Sequence, residues 1–202
     1  LNLDSSNAVV TTLAGSGMAQ VPGTSEPRRA RTSRPVQETP PVRIGFTACG
    51  LDRRPYYADL GVRDAKTVLS LETGITRDGN ECRCFEECGV RPFVDLRFDK
   101  SLLREPGIVE LYGEFCGAAA RACPEVREFS VWDEPNCPVV ATGSNSVVYR
   151  DLLETAYRQI KAGRPDALVY NGGMSVNGET WNIRDLANAG GLAFTDAIGI
   201  HP

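Results

Sequence analysis

The chain carries a single histidine, His201, in 202 residues. Histidine-rich metal chemistry is thereby excluded, because a zinc site needs four ligands, usually paired Cys-x-x-Cys groups or histidines. No apolar run approaches the ~18 residues that span a bilayer, so no membrane contact is expected. Basic residues are not in excess: Lys and Arg number 22 against 26 Asp and Glu, for a net charge of -4. Nucleic acid and anionic membrane surfaces both select a strongly basic face, so neither partner is expected. The patterns G-x-G-x-x-G, P-loop and G-x-S-x-G are missing, which removes the usual nucleotide and esterase readings. No cofactor and no metal is expected.

The N-terminus lacks a basic stretch followed by an apolar one. It starts at Leu1 rather than Met, and the expectation is a processed chain or a partial reading frame. With no targeting signal, an extracellular setting is preferred to a cytoplasmic one. Seven cysteines are present, three of them as Cys82-x-Cys84-x-x-x-Cys88. Reduced, partly buried thiols and disulfides of a secreted protein both fit that number, and the thiol reading is preferred.

What is there is ordinary for a globular domain: 42% hydrophobic and 24% charged residues, enough for one sizeable core. Residues 1–41 stand apart. Pro22, Pro27, Pro35, Pro40 and Pro41 punctuate them, and Arg28, Arg29, Arg31 and Arg34 form a basic stretch. That composition buries too little apolar surface to offset chain entropy, so a flexible arm or linker is expected.

From residue 42 to 202 short apolar runs alternate with helical segments. The runs are Arg43–Ala48, Ala65–Leu71, Arg91–Phe98, Glu128–Trp132, Ala167–Tyr170 and Ala197–Ile200. Several are continuously apolar, as in parallel strands covered on both faces. Ile108, Leu111, Tyr112, Phe115, Ala119 and Ala122 repeat at helical spacing, and so do Val148, Leu152, Leu153, Ala156, Tyr157 and Ile160 after Ser144 or Asn145 as cap. Pro55–Leu60, Cys82–Cys88 and Ile183–Ala189 are shorter candidates. The pattern predicts α/β with a parallel sheet. Strand starts recur every ~31 residues, the repeat of a (β/α)₈ barrel of ~250 residues. Six units are counted, so the alternatives are an incomplete barrel and a six-stranded open sheet, and strand order separates them.

One segment carries chemistry: Val131-Trp132-Asp133-Glu134-Pro135-Asn136. An apolar strand runs into two carboxylates, and Pro135 ends it. The carboxylates then lie at the C-terminal end of a parallel strand, the functional end of α/β folds. Trp132 offers a flat apolar face for a sugar ring. Asn171-Gly172-Gly173 reads as a turn, or as part of a cleft lining. Trp181 reads as a packing residue.

This segment resembles the W-N-E-P-N signature of the clan of retaining (β/α)₈ glycosidases, families 39 and 5 above all. Two further stretches agree. Glu87–Val94 resembles the run into that clan's third strand, and Ala197–Pro202 resembles its sixth-strand ending, cut before the Tyr. The resemblance implies a carbohydrate substrate and Glu134 as the acid/base, donating to the leaving oxygen and later activating water. The acid form requires burial and neighbouring negative charge. It also implies substrate contacts from Trp132, Asp133, Asn136 and His201. Asp133 departs from the signature's Asn: an ionised carboxylate can only accept, so it would take a bond from the sugar 2-hydroxyl. The implied nucleophile ends a seventh strand, beyond the six counted, and no other acid such as Glu72 or Glu179 is assigned its role. A non-catalytic carbohydrate-binding module derived from such a barrel is the alternative.

Overall fold

The computed structural model describes residues 46–47, 59, 61–72, 87, 89–137, 145–176 and 180–201. The arm over 1–41, its basic stretch and the Cys82–Cys88 cluster lie outside these residues. So do the candidate helices before residue 61 and over 82–88, apart from single helical residues at Asp59 and Glu87.

Five strands form one parallel sheet: β1 (Phe46–Thr47), β2 (Asp64–Ser70), β3 (Arg91–Arg97), β4 (Glu128–Val131) and β5 (Leu168–Asn171). Their spatial order is their sequence order, with no reversal. A doubly wound sheet reverses at its switch point; a barrel wall does not. The chain is therefore α/β with barrel-type strand order.

Helices α1 (Ile108–Ala122) and α2 (Ser146–Gly163) cover one face of the sheet. Their buried residues fall at helical spacing: Ile108, Tyr112, Phe115 and Ala119 on α1, and Tyr149, Leu152, Leu153, Ala156 and Ile160 on α2. These meet Val94, Leu96, Phe129, Val131 and Val169 in one core. Leu111 breaks the expected apolar face of α1 and is 51% exposed. Asn145 caps α2, its side chain accepting from the amides of Val147 and Val148 at 3.0 Å. A capping box of Asn182 and Asp185 starts the short helix α3 (Ile183–Asn188). Cys116, Cys123 and Cys137 are the cysteines among the described residues, and burial pushes the Cys116 thiol well up.

Two tyrosines tie the helices to the strand ends. Tyr112 on α1 donates to the carbonyl of Leu96 at 2.7 Å, and Tyr149 on α2 to that of Val131 at 2.8 Å. The Tyr149 hydroxyl also accepts from the amide of Gly172 at 2.7 Å. Both rings are fully buried, and desolvation raises both phenols.

The expected sixth strand is rearranged. Only Ala197 bridges to β5, at Tyr170. The chain then pairs as β7 (Ile200–His201) with β6 (Met174–Ser175), a strand the apolar pattern did not predict. Beside the backbone bond from the Asp196 amide to the Val169 carbonyl at 2.8 Å, side chains take over much of the pairing. Val169 donates its amide to Asp196 Oδ2 at 2.9 Å, and Asn171 donates its own to Thr195 Oγ1 at 3.1 Å. The Asn171 side chain accepts from the Gly199 amide at 2.8 Å and donates to its carbonyl at 3.1 Å, acting as a peptide would.

Candidate functional site

The site forms where β4 ends. Trp132 has φ 67° and Glu134 has φ 42°, both left-handed, and they bracket Asp133. Neither residue favours that region, so the surroundings must hold the turn. Its anchors are visible. The Trp132 amide donates to the Leu96 carbonyl at 2.8 Å, and the Cys137 amide to that of Glu134 at 3.0 Å. Gly172 lies so close to β4 that an added Cβ would stand 2.3 Å from the Trp132 carbonyl oxygen.

Strand alternation would put Trp132 on the concave face with Ser130, which lines a small cavity beside Lys66, Phe93 and Tyr170. The left-handed turn sends it the other way. Its ring is 2% exposed and packs 4.5 Å from that of Phe98 inside the core. The expectation that Trp132 stacks on a sugar is therefore corrected: its faces are covered.

Asn136 is corrected likewise. It is 1% exposed, and its side chain is spent on backbone. It donates to the carbonyls of Ser175 at 2.8 Å and Trp181 at 3.1 Å, and accepts from the Ser175 amide at 2.9 Å. It fastens the β4 turn to β6, both its amide protons are used, and its oxygen is buried away from a ligand. Trp181 packs on Tyr149 with ring centroids 5.5 Å apart.

Glu134 and His201 meet. His201 Nδ1 stands 3.0 Å from Glu134 Oε1, and Nε2 is 3.8 Å from Asp133 Oδ1. A carboxylate accepts only, so this contact is a hydrogen bond from His201 when Nδ1 carries the proton. The imidazole rests on Gly173, where an added Cβ would fall 2.3 Å from Nε2. Gly172 and Gly173 are thus sites of close approach, one for backbone and one for the ring.

Asp133 does not stand open. Arg97 Nη2 is 3.0 Å from its Oδ2, and Lys66 Nζ is 3.4 Å from its Oδ1. Both cations are shared with Asp95, at 2.7 Å from Arg97 and 2.9 Å from Lys66. Asp95 is fully buried. Burial alone would lower the Arg97 guanidinium, but Asp95 and Asp133, with a smaller contribution from Glu134, hold it above its ordinary value. The expectation that Asp133 accepts from a sugar hydroxyl meets a carboxylate already engaged on both oxygens.

Lys66, Asp95 and Arg97 are the site residues that pattern reading passed over. A signal existed: Asp95 and Arg97 stand two apart in an apolar strand, on the face of Phe93, and inward charges of that kind need partners. Among the described residues no cluster of His, Cys, Asp and Glu is suited to a metal ion. No described helix is long and apolar enough to cross a membrane.

No protein-family profile matches the chain, and no curated protein matches it. Solved structures do. The chain is similar to a family 1 β-glucosidase from Thermotoga maritima at 14% identity and TM-score 0.49, over 61% of this chain and 37% of that one. It is also similar to a β-glucosidase of that organism in complex with azafagomine, at 15% identity and TM-score 0.48 over 68% and 42%. With isofagomine lactam bound, the family 1 enzyme gives 13% identity and TM-score 0.46 over 69% and 42%. The chain spans about two fifths of the length of these structures. The likeness is distant and structural, and it carries no statement about chemistry.

Proposed function

We propose that the chain is the acid/base part of a retaining glycoside hydrolase, with Glu134 as proton donor and a carbohydrate as substrate. The observation that carries this is the placement of Glu134. It is a part-exposed carboxylate at the C-terminal end of the fourth of five sequentially ordered parallel strands, on a left-handed backbone, bonded to His201. In that role a protonated Glu134 gives its proton to the leaving glycosidic oxygen and later takes one from the attacking water. The His201 bond restricts the carboxyl's rotation, which suits a group that must meet the leaving oxygen at one angle.

A retaining site needs a second carboxylate about 5–5.5 Å from the first. Asp95 and Asp133 are engaged by Arg97 and Lys66 and are poorly suited to attack an anomeric carbon. On this reading the nucleophile comes from a further strand. Hydrolysis of aryl glycosides that disappears on Glu134→Gln supports the proposal, measured on this chain and on the reading frame extended past residue 202. An extended protein that turns over none of a broad panel would sink it.

The same ion pairing favours a second reading, a carbohydrate-binding module without turnover. Sugar affinity by calorimetry in the absence of hydrolysis is its signature.

A further inference from the structure

Asp133 is an acid between two backbone residues that dislike their own conformation. Trp132 and Glu134 hold φ of 67° and 42°, and a strained turn of this kind persists only where its neighbours over-determine it. Trp132 is held by burial and by Leu96. On the Glu134 side Asn136 fastens the turn to β6, and Asp133 supplies its charged attachment: Arg97 at 3.0 Å and Lys66 at 3.4 Å. Those cations are held in turn by Asp95, fully buried in β3, at 2.7 and 2.9 Å. The chain of contacts runs from β3 and β2, through Asp133, to the carboxylate that meets His201.

We infer that Arg97 and Lys66, braced on Asp95, are positioning residues that clamp Asp133 and thereby deliver Glu134 to His201. The inference rests on the reading of Glu134 as the working carboxylate, and it gives the acid in place of the signature's Asn a purpose. An amide at 133 can bind only one cation weakly through its oxygen, whereas a carboxylate engages both. Arg97 is the senior partner, since its planar fork bonds Asp95 through both Nε and Nη2 while Nη2 also reaches Asp133. Lys66 acts as a point charge on the other oxygen.

His201 is the only histidine of the chain, so its ring is a single reporter that needs no turnover. Long-range proton–nitrogen spectra of the ¹⁵N-labelled 202-residue chain at about pH 9, where an imidazole is neutral, read its tautomer. Wild type is expected to carry the Nδ1 proton, directed at Glu134. Glu134→Ala should release the ring toward the Nε2 form that a free histidine favours. Arg97→Met, and Asp133→Asn independently, should move the signal in the same direction and by at least half as much. Arg97→Lys, which keeps the charge but not the fork, should fall between. Leu152→Ala, a core change of comparable destabilisation, should leave the signal in place, which a merely structural role of Arg97 would not produce.

Folded Arg97→Met and Asp133→Asn proteins that both keep the wild-type tautomer overturn the clamp. Should Arg97→Met not fold, Asp133→Asn and Arg97→Lys decide the matter alone. Failure of the enzymatic reading looks different. If no hydrolysis is found but the tautomer follows Arg97, the clamp stands and the glycosidase falls. If hydrolysis requires Glu134 while the tautomer ignores Arg97, the reverse holds.

Discussion

The two faces of the parallel sheet are held together by different forces. Toward the helices, Val94, Leu96, Phe129, Val131 and Val169 are buried against α1 and α2 with almost no charge among them. At the concave, strand-end side, Lys66, Arg97, Asp95, Asp133, Glu134 and His201 interlock within a few ångströms. The first arrangement is non-directional and tolerates a change of shape better than a change of polarity. The second is directional, and removing one member strands the others. The helix face gives the domain its stability, and the concave face spends some of it on a strained turn.

That contrast can be broken from either side. The largest effect is expected from Glu134→Gln. On the proposed role, loss of a general acid lowers turnover of the protein extended past residue 202 by ~10²–10⁴-fold, while the melting temperature stays near wild type because the carboxylate is part-exposed and lies outside the core. Activity assays and calorimetry on one preparation check both halves.

Next come two deletions of matched size but opposite origin. Leu152→Ala removes a fully buried side chain of α2 and should cost ~2–5 kcal/mol by cavity formation. Asp95→Ala leaves Lys66 and Arg97 without their shared buried partner and should cost ~3–5 kcal/mol. Urea titration measures both. Only the Asp95 variant should also disturb His201.

A smaller change separates position from stability. Gly173→Ala puts a methyl 2.3 Å from the His201 ring and should cost ~1–3 kcal/mol by overpacking. The ring is expected to leave Glu134, so the tautomer signal should shift as far as in Glu134→Ala while urea titration shows only that modest loss of stability.

The smallest effect concerns Glu72, just past the end of β2. Burial would raise its carboxyl, but bonds from the Ser70 hydroxyl and the Asp99 and Glu72 amides outweigh it and lower it below its ordinary 4.5. A depressed carboxyl contributes stability that is present above its unfolded value and lost as pH falls through the folded one. Wild type should therefore lose more stability than Glu72→Gln between neutrality and pH 3, by a margin near the resolution of acid melts.

Much of the architecture was legible because its causes are local. Asn145 caps α2 through its own side chain, and apolar spacing placed the helices and four longer strands within a few residues. The ending of β4 at Asp133-Glu134-Pro135 also followed from the chain, since Pro135 cannot extend a ladder. Trp132 and Asn136 were misassigned for a definite reason. Alternation assigns sides only while φ stays in the extended region, and the left-handed turn at Trp132 reverses the rule at the residue that matters. The sixth strand was misplaced because, apart from the Asp196 and Ala197 amides on the Val169 carbonyl, Asp196, Thr195 and Asn171 bond through side chains where a full ladder was assumed.

By itself, then, the sequence determined the α/β alternation, the helix caps and the position of Glu134 at a strand end, all properties of residues near one another in the chain. Only the tertiary structure decided what Glu134 meets. His201 lies 67 residues away and Lys66 is 67 residues from Asp133, and no periodicity encodes such pairings. They arise because parallel strands in sequential order bring their C-terminal ends to one rim, where charges distant in sequence must neutralise one another.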